Sequence, residues 1–162
     1  MPEVTRQLEK LYAAQFPALL SYFQACRLDR STAEDLAQDT FREALRNTER
    51  VLATDSPKAY LFGIARNVRR GYLRKSVSTS RLDDPPEFVA DSPEKDPRLE
   101  VVRHEIANLS LPLREVLELR LHHDLQYSEI AEALDIPVGT VRSRIHNAIR
   151  QLRQTVIEHE QS

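Results

Sequence analysis

Between Ile136 and Arg153 the chain places Arg142, Arg144, Arg150 and Arg153 with no aspartate or glutamate among them. Around them stand Thr140, Ser143, His146 and Asn147, side chains able to donate hydrogen bonds to phosphates or base edges. A carboxylate on such a surface would be repelled by nucleic-acid phosphates, so an acid-free donor face suits contact with DNA. The chain as a whole is not basic, with a formal net charge of −2 over 162 residues. The missing acids are therefore a local property of this segment.

A second segment has the same character. From Pro57 to Lys75 there are six bases (Lys58, Arg66, Arg69, Arg70, Arg74, Lys75) and no acid, interleaved with Tyr60, Phe62 and Tyr72. Aromatic planes stack on unpaired bases while arginine holds the backbone, a combination suited to single-stranded DNA. Arg66, Asn67, Arg70 and Arg74 are the candidates for that contact, and Leu61, Ile64 and Val68 read as core. The three aromatics fit either use. Between the two basic segments, Asp83 to Glu100 carries seven acids against two bases. Two polyanion-facing surfaces joined by an acidic connector is the simplest reading.

The elements that position these residues follow from periodicity. Val138, Val141, Ile145, Ala148, Ile149 and Leu152 recur at three- and four-residue steps, which predicts a helix from Val138 to about Ile157 packing on that side. Gly139 inside it suggests that a neighbouring backbone comes close there. Upstream, Tyr127–Leu134 reads as a short helix capped by Ser128, with Ile130, Ala131 and Leu134 inward. Asp135-Ile136-Pro137 then makes a three-residue link. A short helix, a tight link and a basic helix form a helix-turn-helix, whose second helix enters the DNA major groove.

Further helices are expected before and between these. Leu8, Leu11, Tyr12, Phe16, Leu19, Leu20 and Phe23 form one apolar stripe, with Pro17 as a break or kink. Ser31-Thr32-Ala33-Glu34 is a capping-box pattern that opens a helix with Leu36, Thr40, Phe41, Ala44 and Leu45 on one side. Ser56 and Pro57 cap and start the basic helix. Val101–Leu109 and Leu113–Leu121 complete the second half. Nothing alternates with a two-residue period, so the fold class is all-α. Four prolines and many small polar residues between Ser76 and Pro97 predict a flexible acidic linker, with Phe88-Val89 as a single anchor. The expected division is 1–75, a linker at 76–97, and 98–158.

Other chemistries find no support in the residues. Cys26 is the sole cysteine and reads as a small, half-buried apolar residue, with no disulfide or cysteine metal cluster. His104, His122, His123, His146 and His159 lack metal-ligand spacing, and His122-His123 falls near a helix end. No phosphate-binding glycine loop or nucleophile motif is present, so neither an enzyme nor a cofactor is expected. No apolar run reaches the roughly 18–20 residues of a membrane span, which predicts a cytoplasmic protein without membrane insertion.

Three motifs in order carry a family resemblance. Ala33-Glu-Asp-Leu-Ala-Gln-Asp-Thr-Phe-Arg-Glu-Ala-Leu45 resembles regions 2.1–2.2 of the extracytoplasmic-function (ECF, group IV) sigma factors of bacterial RNA polymerase. Pro57-Lys-Ala-Tyr-Leu-Phe-Gly-Ile-Ala-Arg-Asn67 resembles the start of their region 2.3–2.4. Leu111–Leu117, Tyr127–Ala131 and Ile136–Ile145 together resemble region 4. The matches span nearly the whole chain.

That resemblance implies a promoter-specificity subunit with region 2 before the linker and region 4 after it. Asp35, Leu36, Gln38, Asp39, Phe41 and Arg42 would dock on the clamp coiled coil of core RNA polymerase. Arg66, Asn67, Arg70 and Arg74 would grip the opened −10 element. Thr140, Arg142, Ser143, Arg144, His146, Asn147 and Arg150 would contact the −35 duplex. Partners would be core polymerase, promoter DNA and an anti-sigma factor, without a stable homo-oligomer. Two features depart from the family: there is no tryptophan, and Asn147 and Ile149 stand where relatives often have arginine. A stand-alone helix-turn-helix regulator and a mimic that sequesters an anti-sigma factor are the alternatives. The basic, aromatic-rich Pro57–Lys75 segment weighs against the first, and the intact arginines of both basic helices weigh against the second.

Overall fold

The computed structural model describes residues 2–79, 97–121 and 123–161. Among them are eight helices and no strand: α1 Pro2–Ala25, α2 Arg30–Arg46, α3 Thr48–Ala53, α4 Pro57–Thr79, α5 Pro97–Asn108, α6 Leu111–Leu121, α7 Tyr127–Leu134 and α8 Val138–Gln161. The all-α class is as expected, and α7 has the expected ends. The helix α3 was not foreseen, because six residues are too few for a periodic signal. The acidic stretch 80–96, with Phe88-Val89, lies outside the described residues, as does His122. Ser76–Thr79, assigned to the linker from sequence, belongs to α4.

Helix ends show where local reading misplaced the caps. Asp29, not Ser31 or Thr32, caps α2: its Oδ1 accepts from the Thr32 backbone N–H at 3.3 Å. Gln126, not Ser128, opens α7, and the Glu129 Oε1 accepts from the Gln126 N–H at 2.9 Å in a capping box. Ser56 does cap α4, accepting from the Ala59 N–H at 3.1 Å. Pro17 lies inside α1, which continues through it.

The chain reverses between α1 and α2 through Arg27, a non-glycine residue at φ 66°. The Leu28 N–H reaches the Phe23 carbonyl at 3.2 Å and the Arg27 N–H reaches Gln24 at 3.0 Å, which closes the α1 carbonyls. Asp135 at φ 54° does the same after α7 and turns the chain into α8.

One continuous core runs through both halves of the chain. It joins Leu8, Leu19, Tyr22 and Phe23 of α1, Leu36 and Ala44 of α2, and Leu61 and Phe62 of α4 to Val116, Leu119, Ile130, Leu134 and Val141. Fully burying a side chain such as Phe62 or Leu119 is worth about 1.5–3 kcal/mol each. A second, small cluster holds Leu109, Leu117 and Ala148. Helices α1–α4 therefore pack directly on α5–α8, through α4 on α7 and α1 on α6.

Candidate nucleic-acid interface

The helix α8 is seated by Val141, Ile145 and Ala148, which are buried against α7 and α6. Its opposite side exposes Arg142, Ser143, His146 and Arg150, while Thr140, Arg144 and Asn147 are half-buried at the flanks. The turn is tight because the Ile136 N–H bonds the Ala131 carbonyl at 3.1 Å, and the Thr140 and Val141 N–H groups bond Pro137. A short helix, a turn through left-handed Asp135 and a donor-rich second helix are all in place. Two residues depart from expectation: Val138 and Ile149 lie at the surface instead of packing. Gly139 has no neighbouring atom near the place of a Cβ, so no backbone approaches there.

The helix α4 divides the four residues expected to grip single-stranded DNA. Asn67, Arg70 and Arg74 are exposed at i, i+3 and i+7, forming one outward stripe. Arg66 flanks this stripe, half-buried, and its Nε lies 3.5 Å from Glu115 Oε1 of α6. Beside it, Arg69 Nη2 donates to Glu115 Oε2 at 2.8 Å, with side chains only 5% and 7% exposed. Burial by itself would lower the Arg69 pKa, but Tyr22, Cys26 and Glu115 outweigh it, and the guanidinium is held more firmly charged than usual. Of the aromatics, Phe62 is in the core against Tyr22 and His123, Tyr60 is half-buried, and Tyr72 is exposed.

The helix α2 presents a separate face. Asp35, Gln38, Asp39 and Arg42 are exposed at i, i+3, i+4 and i+7, and Arg42 Nη1 pairs with Asp39 Oδ1 at 3.1 Å. Phe41 is half-buried and stacks on Tyr12, with ring centroids 4.2 Å apart. Leu36, expected on this face, is 4% exposed and packs inward. It shares a helix side with Ala33, Ala37, Thr40 and Ala44, all turned to the core. The exposed docking candidates are the polar four, with Phe41 at their edge.

Sequence reasoning missed the residues that join the two halves. Glu115 meets Arg66 and Arg69; Glu118 accepts from Ser21 Oγ at 2.9 Å and lies 3.4 Å from His123 Nε2. Arg27 Nη2 donates to the Ala107 carbonyl at 2.6 Å, and Lys58 Nζ donates to the His123 carbonyl. Ser56 Oγ donates to Glu129 Oε2 at 2.5 Å while accepting from Ala59, so one hydroxyl links the starts of α4 and α7. This bond, with smaller help from the Gln126 N–H and Lys58, holds the Glu129 carboxyl below its usual pKa. A signal was available in α6, whose Arg114, Glu115 and Glu118 sit among leucines and valine on a helix buried nearly all round. Charges inside such a helix need partners from elsewhere in the fold.

Comparison with known proteins agrees with this arrangement. Residues 11–79 match Sigma-70 region 2 and residues 106–154 match Sigma-70, region 4. The RNA polymerase sigma factor HrpL of Pseudomonas syringae pv. syringae is 32% identical over 96% of this chain and 90% of its own length. The ECF RNA polymerase sigma factor SigL of Mycobacterium tuberculosis is 30% identical over 93% of this chain and 89% of its own. In fold, the chain resembles the sigma factor RpoE of Bartonella quintana, solved in complex with the anti-sigma factor NepR. That likeness has a TM-score of 0.76 and 23% identity, and covers 93% of this chain and 97% of that one.

Proposed function

Because the chain belongs to the sigma-70 family, as an ECF RNA polymerase sigma factor, we propose how its faces divide the work of promoter recognition. Helix α8 lies in the major groove of the −35 element. Arg142, Ser143 and His146 point at base edges; Thr140, Arg144, Asn147 and Arg150 flank them toward the phosphates. Arg142 is the leading base reader, since arginine bidentate to guanine is the commonest specific contact. Asn67, Arg70 and Arg74 of α4 hold the opened strand of the −10 element, with Arg66 joining once it is released from Glu115. Asp35, Gln38, Asp39 and Arg42, with Phe41, dock on core polymerase, where complementary charge around an apolar edge sets orientation.

The reading assigns residues 1–79 to polymerase docking and the −10 element, 97–158 to the −35 element, and 80–96 to the connection. It makes the protein a non-enzymatic, cytoplasmic initiation factor that also binds an anti-sigma factor. The observation that carries it is the presence on one chain of two exposed, acid-free donor stripes, on α4 and α8, beside a mixed-charge stripe on α2. A stand-alone regulator has no use for the first and third.

The test is transcription from a library of promoter fragments by purified protein with bacterial core polymerase. Specific transcripts that vanish with Arg142→Ala and with Asn67→Ala are expected. Tight duplex binding without co-elution with core polymerase would overturn the reading. Loss with Arg142→Ala alone would remove the −10 assignment.

A further inference from the structure

The −10 and −35 candidates lie on helices that the fold brings together. Helix α4 packs on α7, and α7 packs on α8. Elements named −10 and −35 are separated by about 25 base pairs, or about 85 Å of B-form DNA at 3.4 Å per pair. A compact chain of 162 residues has a radius of gyration of about 15 Å. This arrangement cannot lie on both elements at once. Thr79 and Pro97 are separated by seventeen residues, and a stretch of that length reaches at most about 56–60 Å. The halves must part for both to engage.

What holds them is chemically specific. Glu115 gives one carboxylate oxygen to each of two arginines of α4, at 3.5 Å to Arg66 and 2.8 Å to Arg69. Arg66 is itself a proposed −10 contact. Glu115 accepts a hydrogen bond from Arg69 and stands within ion-pair range of Arg66, so its negative charge takes the place beside these guanidiniums that a nucleic-acid phosphate would take. We infer that Glu115 is the clasp of a self-inhibited state, in which α6 takes Arg66 from promoter DNA and keeps the two DNA-reading halves too close to span a promoter. The inference rests on the functional reading above for its consequence, though not for the contact itself. Ser21–Glu118, Arg27–Ala107 and Ser56–Glu129 close the same seam from its two ends. Reversing the charge at its centre places three like charges together where one carboxylate stood between two guanidiniums, and a buried, unpaired charge is strongly disfavoured.

Spin labels at Glu49→Cys in α3 and Gln154→Cys in α8, both exposed in the full chain, read the separation, with the half-buried Cys26 replaced by alanine throughout. The wild-type background is expected to give one short, narrow distance. Glu115→Arg is expected to lengthen and broaden it, and Arg69→Glu combined with Glu115→Arg to restore it in part. If Glu115→Arg loses helical circular dichroism, Glu115→Gln, which keeps the shape and removes the charge, is expected to show a smaller lengthening. With core polymerase, the opened variant is expected to reach half-maximal transcription at about tenfold lower concentration, because the closed fraction no longer subtracts from the competent one. A long distance in the wild-type background, or a short one in well-folded Glu115→Arg, overturns the clasp. An opened variant with unchanged half-maximal concentration overturns its inhibitory role. Opening without transcripts from any variant, wild type included, overturns the proposed function and leaves the clasp standing on the distances.

Discussion

Gly63 of α4 lies against the backbone of Ala133 of α7: a Cβ added at 63 would sit 3.4 Å from the Ala133 carbonyl oxygen and 3.7 Å from its Cα. That is ordinary contact for one methyl group, with no room for a longer side chain. The basic helix α4 thus meets the first helix of the helix-turn-helix through a glycine–alanine crossing.

Substitution at this crossing separates two effects. Gly63→Ala fits and removes a helix-interior glycine, so it is expected to raise stability by up to about 1 kcal/mol. Gly63→Leu must push α7 away and is expected to cost about 1–3 kcal/mol. Thermal denaturation of the two variants checks the order, and equal melting temperatures would show that α4 and α7 are not in contact.

Arg27 holds a left-handed conformation that glycine would adopt freely, and its guanidinium reaches Ala107 across the chain. Arg27→Ala keeps the strain and loses the hydrogen bond; Arg27→Gly loses both. The alanine variant is therefore expected to be less stable than the glycine variant by about 1 kcal/mol, measured by urea denaturation.

Cys26 is a folded-state thiol, not a reactive one. Burial pushes its pKa from 9.0 up to about 12, so the folded protein resists losing that proton while the unfolded chain gives it up. Stability is full below pH 9, where both states hold the proton, and falls as pH rises from 9 toward 12. The loss is about 1.4 kcal/mol per pH unit for this one group at its steepest. Cys26→Ala is expected to flatten the alkaline arm of a stability–pH curve. Tyr22, pushed well above its usual 10.0 mainly by burial, adds to the same arm and keeps it from vanishing.

Glu129 acts at the opposite end of the pH scale. Its carboxyl is held below 4.5 first by the Ser56 hydroxyl, so the stability it supplies is present above 4.5 and is lost as pH falls through the lower folded value. Ser56→Ala is expected to raise the Glu129 pKa toward normal in a carbon-detected NMR titration. Because it also removes the α4 cap, it is expected to cost about 1–2 kcal/mol at neutral pH.

Arg142→Ala is expected to weaken discrimination at one −35 base pair by about 1–3 kcal/mol. Competition between promoter fragments for the polymerase-bound protein reads this directly. A uniform loss across fragments would make Arg142 a phosphate contact instead.

The sequence by itself determined every helix but α3, the helix-turn-helix and the acid-free stripes. These depend on residues three and four apart, and a single helix turn brings such residues together whatever the rest of the chain does. It misjudged the caps at Asp29 and Gln126, because several neighbouring polar residues can each accept from a free N–H and only the realised backbone selects one. It could not separate Arg66 from Asn67 and Arg70. All three sit on one basic helix, and only the approach of α6 turns Arg66 toward Glu115 while leaving the other two outward. Nor could it choose between the two places it offered Leu36, the apolar stripe and the docking face, or see that Glu115 and Glu118 have partners on α4 and α1. Such contacts join residues 46 and 97 positions apart. They form only when burial of a shared core outweighs the cost of closing the chain between them, which only the tertiary structure decides.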